Sequence, residues 1–223
     1  MTKKLWTAVD QYINEMLIPS DPVLETALRA AAEARLPQIQ VSPPQGKLLH
    51  ILVRSLAARR ILEIGTLGGY STIWMARALA PGGHVLTLEA EARHAEVARA
   101  NFANAGLSHC IEVRLGPALD TLPCLAAEGR GPFDFIFIDA NKSTITEYFA
   151  WALRFSRHGS VILVDNVIRD GEVIDADSDD PDVQGVRRFN AHLAQESRVS
   201  ATEIQTVGSK GYDGFAMAVV LED

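Results

Sequence analysis

The chain has 223 residues, of which 48% are hydrophobic and 22% charged, enough for a single domain with a substantial core. Its formal charge of -7 and pI near 5.4 argue against nucleic acid or an anionic membrane as a partner held by a general electrostatic field, because phosphate binding needs clustered Lys and Arg. No stretch approaches the ~20 apolar residues of a membrane-spanning helix, the N-terminus lacks the pattern of a signal peptide, and Cys110 and Cys124 are too few and too far apart for a disulfide scaffold, so a reducing cytoplasm is the expected location.

From Lys4 to Ile18 apolar residues recur at Leu5, Val9, Ile13 and Leu17, which is helical spacing. Asp21-Pro22, an acid at the cap position followed by proline, opens a second helix to about Arg35. Ser42-Pro43-Pro44-Gln45 has the form of a capping box before an apolar helix from Leu48 to Ala57. After these three helices the pattern alternates. Short β-rich runs at Ile61-Ile64, Val85-Leu88, Ile111-Leu115, Phe133-Ile138 and Val161-Val164 are separated by helical stretches at Ser71-Leu79, Glu91-Ala105, Ala118-Ala127 and Thr144-Arg157. Alternation of this kind predicts a parallel sheet covered on both faces. An acidic run, Asp175 to Asp182, precedes a helix near Val183-Gln195. Two last strands, Ala201-Val207 and Phe215-Leu221, joined by the turn-rich G-S-K-G-Y-D-G, predict an antiparallel hairpin at the sheet edge. No linker divides the chain: residues 1-58 form an N-terminal helical segment and 59-223 an α/β core.

The first strand runs into I-L-E-I-G-T-L-G-G-Y-S, where Gly65, Gly68 and Gly69 lie between strand and helix. Such a loop lets a ligand approach the backbone and aims amides at it. The spacing is not G-x-G-x-x-G, and no Walker A loop is present, so pyrophosphate binding is disfavoured. Glu89 ends the second strand, where a carboxylate can accept hydrogen bonds from ribose hydroxyls. Alone it reads better as a solvated strand-end acid; the glycine loop tips the reading towards a ribose ligand.

Strands four and five also end in acids, at Asp139 and at Asp165-Asn166. Carboxylates brought together repel unless a cation or proton sits between them, and an all-oxygen set suits Mg²⁺ or another hard divalent ion. Each acid taken singly is a turn former or helix cap. Lys142, three residues beyond Asp139, is by default a solvated lysine; desolvated beside a cation, it can accept a proton from a hydroxyl.

In order along the chain, V-S-P-P-Q-G-K-L-L, L-E-I-G-T-L-G-G-Y-S, the acid ending strand two, F-I-D-A-N-K, V-D-N-V and V-G-S-K-G-Y-D-G-F-A resemble the cation-dependent O-methyltransferases of the caffeoyl-CoA and catechol type. These belong to the class I S-adenosylmethionine-dependent methyltransferases. The resemblance implies a Rossmann-like fold: a doubly wound, mostly parallel seven-stranded sheet with the antiparallel hairpin at its edge and helices at the N-terminus. It implies that Asp139, Asp165 and Asn166 hold Mg²⁺ or another divalent cation and that Lys142 is the general base. Glu89 would bind the ribose of S-adenosyl-L-methionine, Val41, Glu63, Gly65, Thr66 and Ser71 the methionine part, and Ala118 the adenine, with Asp139 also facing the cofactor. A small phenolic substrate and a homodimer are expected, with the N-terminal helices over the acceptor pocket and at the dimer contact. Two departures stand out. Asn141 replaces the second acid of the family's D-A-D-K, and Gly116-Pro117 lacks the acid that often follows that glycine.

Three other readings fit less of the chain. A nitrogen methyltransferase would carry Asn or Asp, two prolines and an aromatic after strand four; a nicotinamide oxidoreductase would carry G-x-G-x-x-G. A non-catalytic adenosyl-binding module would need neither Lys142 nor the three cation-binding residues.

Overall fold

The structure is a computed structural model and describes residues 2–222. Seven strands form one sheet in the order β3-β2-β1-β4-β5-β7-β6: β1 (Arg60–Ile64), β2 (His84–Glu89), β3 (Ile111–Leu115), β4 (Phe135–Ile138), β5 (Val161–Asp165), β6 (Val199–Gly208) and β7 (Gly211–Val220). The first five are parallel, while β7 runs antiparallel to β5 and carries β6 at the edge. The expected doubly wound sheet with its terminal hairpin is thus what the chain forms.

Alternation along the strands assigns the two faces. Leu62, Ile64, Ile136, Ile138, Ile162 and Val164 belong to one buried cluster, and Ile61, Phe135, Phe137, Val161 and Leu163 to the other. All four residues of β4 are fully buried because helices cover both faces.

Helix α1 spans Lys3–Leu17 and buries none of its residues. Helix α2 spans Pro22–Glu33: the Asp21 carboxylate accepts from the Val23 and Leu24 amides at 3.0 and 3.2 Å, and Pro22 occupies a position whose N–H has no helical partner to lose. Helix α3 spans Pro43–Ser55, five residues earlier than the apolar run beginning at Leu48 suggests. Both prolines fit its first turn, and Ser42 Oγ accepts from the Gln45 amide at 3.3 Å. The remaining helices are α4 (Tyr70–Ala76), α5 (Ala92–Asn104), α6 (Ala118–Ala127), α7 (Ile145–Arg154) and α8 (Pro181–Leu193).

Two other boundaries differ from those read from the sequence. β4 starts at Phe135 instead of Phe133 because the Asp134 carboxylate turns to accept the Arg59 and Arg60 amides, at 2.7 and 2.9 Å. The hairpin turn is only Ser209-Lys210, with Gly208 paired to Gly211, so Tyr212, Asp213 and Gly214 lie within β7. The acidic run ends as a helix cap: Asp180 accepts from the Asp182 amide at 2.8 Å and Pro181 opens α8.

Candidate active site

The register places four loops in one row. Leu88 pairs with Ile64, Ile64 with Ile138, and Ile138 with Val164. The next residue on each of these strands is therefore Glu89, Gly65, Asp139 and Asp165, side by side at the carboxyl edge. This is the point where the chain reverses direction across the sheet, between β1 and β4. A cavity of about 960 Å³ opens over the row.

At its β1 end the backbone must pass close to β4. A Cβ on Gly65 would stand 2.0 Å from the Asp139 carbonyl oxygen, and the φ of +103° is one that side chains rarely tolerate. Beyond it the loop is held by Glu89, whose Oε2 accepts from the Thr66 and Leu67 amides at 3.2 and 2.7 Å and whose Oε1 accepts from the Glu91 amide at 3.0 Å. His94 Nδ1 lies 3.5 Å from the same Oε1. A carboxylate has about four acceptor positions, so Glu89 retains capacity for a ligand. The bland reading of Glu89 as a solvated acid does not hold, since it is only 7% exposed.

Glu63 stands behind the cavity wall, fully buried. Its Oε1 accepts from Ser71 Oγ at 2.6 Å, and its Oε2 from Thr72 Oγ1 at 2.5 Å and Thr87 Oγ1 at 2.7 Å. Burial pushes its carboxyl up to about 7 against the pull of these three hydroxyls. Glu63 can therefore meet a ligand only through Ser71, which does line the cavity.

At the β4 and β5 end, Lys142 opens a 3-10 turn, Lys142–Thr144. Only 5% exposed, it donates from Nζ to Asp139 Oδ1 at 2.9 Å. Asp165 is also 5% exposed. Burial first, then the charge of Asp139, raises its carboxyl pKa well above the ordinary 3.8, with Lys142, the Gln45 side chain and the Asn166 amide pulling the other way. Asn166 follows with φ +59° and lines the same cavity. Asn141, the residue that departs from the family's acid, caps the 3-10 turn: its Oδ1 accepts from the Ser143 amide at 2.8 Å and from Ser143 Oγ at 2.6 Å.

Thus Val41, Gly65, Thr66, Ser71, Glu89, Ala118, Asp139, Lys142, Asp165 and Asn166 share one cavity, and Glu63 alone of the expected residues does not reach it. Among the described residues no group of three His, Cys, Asp or Glu side chains could hold a metal ion. What the β4 and β5 end offers is two carboxylates, Asp139 and Asp165, and the Asn166 amide, without thiol or imidazole. That set fits a hard divalent cation, and the rise in the Asp165 pKa, owed first to burial and then to the charge of Asp139, is only partly offset by Lys142.

A family model described as O-methyltransferase matches residues 14–218, nearly the whole chain. The chain belongs to the O-methyltransferase family. It is 53% identical over 220 residues to a catechol O-methyltransferase from Niastella koreensis, covering 99% of this chain and all of that one. Among solved structures, an O-methyltransferase from Bacillus cereus in complex with SAH superposes with a TM-score of 0.97 at 59% identity, covering 98% of this chain and 100% of its own. The O-methyltransferase TomG of tomaymycin synthesis from Streptomyces achromogenes, in complex with SAM, gives 0.95 at 53% identity over 99% of each chain.

Three residues of this O-methyltransferase site escape a sequence reading. Gln45 looks like the second half of a capping box, yet its side chain acts on Asp165. His94 sits in a helix, with no motif to connect it with Glu89. Asp213 lines the cavity from β7; its only signal is an acid next to glycine in G-Y-D-G.

Proposed function

We propose that this O-methyltransferase transfers a methyl group from S-adenosyl-L-methionine to one hydroxyl of a catechol-like or other vicinal-diol small molecule, with Mg²⁺ or another divalent cation at its site. The observation that carries the reading is the single register row joining the glycine loop and Glu89 to Asp139 and Asp165 within one cavity. The neighbours bound to SAH and SAM and the relative named a catechol O-methyltransferase agree with it.

S-adenosylmethionine, when bound, supplies a methyl group on a sulfonium. Glu89 would take a ribose hydroxyl on its remaining acceptor position. Val41, Gly65, Thr66 and Ser71 would surround the methionine part, with Glu63 fixing Ser71 from behind. Ala118, the first residue of α6, would meet the adenine, and the missing acid at Gly116-Pro117 leaves that recognition to backbone groups.

Asp139, Asp165 and Asn166 would hold the cation, which supplies Lewis-acid chemistry by lowering the pKa of a hydroxyl and fixing its direction. Lys142 then has two tasks. In the structure its Nζ donates to Asp139; as the general base it would, once neutral, accept the hydroxyl proton. Orientation of acceptor and donor in one cavity would supply the larger share, up to roughly 7–11 kcal/mol in favourable intramolecular models.

Helix α1 and the hairpin tip would roof the acceptor, since Asp10, Ile13, Gly208 and Lys210 line the cavity. The Ser209 amide donates to Asp10 Oδ2 at 2.7 Å and Lys210 Nζ to the Gln38 carbonyl at 2.9 Å. The outer side of α1 exposes Leu5, Val9, Tyr12 and Met16, a stripe suited to a second copy of the chain in a homodimer. Two free cysteines suit a cytoplasmic enzyme. The overall charge of -7 disfavours nucleic acid, and no helix among the described residues is long and apolar enough to cross a membrane.

The acceptor class is tested with a panel of vicinal diols and matched monophenols in the presence of S-adenosylmethionine and Mg²⁺. Methylated product from diols alone is the expected outcome; monophenols methylated at equal rates would contradict it.

A further inference from the structure

The loop that carries Asn166 has an improbable backbone. Asn166, Arg169 and Asp170 all adopt positive φ, at 59°, 55° and 56°, in a span of five residues. None is glycine. Conformations of this kind are disfavoured for residues other than glycine, less so for Asn and Asp than for Arg, and persist where neighbouring groups hold them.

Asp213, from the far end of the sequence, holds the middle of this span. Its Oδ1 accepts from three amides: Ile168 at 3.0 Å, Arg169 at 3.1 Å and Gly214 at 2.9 Å. The Val167 amide donates to the Gly214 carbonyl at 3.1 Å, so consecutive residues 167, 168 and 169 are all fastened to 213-214. Gly214 allows this approach, because a Cβ there would stand 2.5 Å from Ile168 Cγ1 and 2.4 Å from the Ile204 carbonyl oxygen. The strand register continues the clamp, with Asp165 paired to Phe215.

We infer that Asp213 is a positioning residue for the cation site: its Oδ1 clamps residues 168 and 169, beside the Gly214 carbonyl that holds 167, and thereby aims Asn166 at the space shared with Asp139 and Asp165. This rests on the reading of Asp139, Asp165 and Asn166 as the cation-binding residues. It also gives the C-terminal hairpin a task beyond closing the sheet. What the clamp requires is an acceptor oxygen at one place, and the negative charge is incidental.

That distinction gives the test, since two conservative variants separate place from charge. Asp213→Asn keeps an oxygen of the same reach without charge; Asp213→Glu keeps charge but moves it by one methylene. Mg²⁺ or Mn²⁺ binding is measured by calorimetry on the purified full chain, with amide hydrogen exchange of residues 167–169 followed in parallel. Asp213→Asn should bind within a few-fold of the parent with protected amides. Asp213→Glu should lose about 10-fold or more in cation affinity, the scale typical of groups that orient metal ligands, with faster exchange at 167–169 and an unchanged affinity for S-adenosylmethionine. The reverse pattern, or equal binding by both variants, or equal loss by both, overturns the inference while the parent binds the cation. A parent that binds no divalent cation overturns the underlying site assignment instead.

Discussion

Lysine is seldom buried without a reason, and at Lys142 the reason is visible: Nζ lies 2.9 Å from Asp139 Oδ1 at the foot of the cavity. Removing it should slow chemistry without disturbing the cofactor end. Steady-state kinetics of Lys142→Ala should show kcat lowered by about 10²–10⁴-fold, with S-adenosylmethionine affinity within a few-fold of the parent; parental turnover would remove Lys142 from the mechanism. Glu63 offers a second residue-scale test. Its folded pKa of about 7 lies above the ordinary 4.5, so its contribution to stability is full below about 4.5 and lost as pH rises through about 7. Glu63→Gln cannot titrate. The parent's loss of urea resistance between about pH 5 and about pH 8 should therefore shrink in the variant, and an unaltered loss would contradict the assignment. At this scale the acids are legible in the sequence because each ends an apolar run, and the lysine because it follows Asp139 by three residues. Glu63 is not, since chain position does not reveal that Ser71 stands between it and the cavity.

At the scale of elements, the strands and the glycine loop follow from local pattern, whereas their exact ends follow from side chains that arrive from elsewhere. Asp134 shortens β4 by engaging Arg59 and Arg60, and two prolines extend α3 backwards into its first turn. Tyr212, Asp213 and Gly214 look like turn residues but pair within β7, since only the partner strand decides register. The loop after β1 is the most demanding element. Gly65→Ala would set a methyl group against the Asp139 carbonyl and strain a φ of +103°. A loss of roughly 2–3 kcal/mol in urea unfolding is expected, together with weakened S-adenosylmethionine binding in calorimetry. A variant with parental stability and affinity would show that the close approach of β1 to β4 is dispensable.

For the whole molecule, the α/β alternation of the sequence predicts the sheet, and topology then brings to one edge four loops that are scattered from Gly65 to Asn166. No local pattern contains that convergence; the shared row of Glu89, Gly65, Asp139 and Asp165 appears only with the register. The helical periodicity of α1 is likewise legible through Leu5, Val9, Ile13 and Leu17, but that spacing shows neither that Tyr12 and Met16 belong to the exposed stripe nor what the stripe packs against. In sedimentation at micromolar concentration the parent should run as a dimer and Tyr12→Glu as a monomer; a monomeric parent would reject that use of α1. The most direct measurement of the central reading is transfer of a labelled methyl group from S-adenosylmethionine to a catechol, with the protein first stripped by EDTA and then resupplied with Mg²⁺. Transfer that stops on chelation and returns with Mg²⁺ is expected. Transfer at the same rate in excess EDTA would contradict a cation held by Asp139, Asp165 and Asn166.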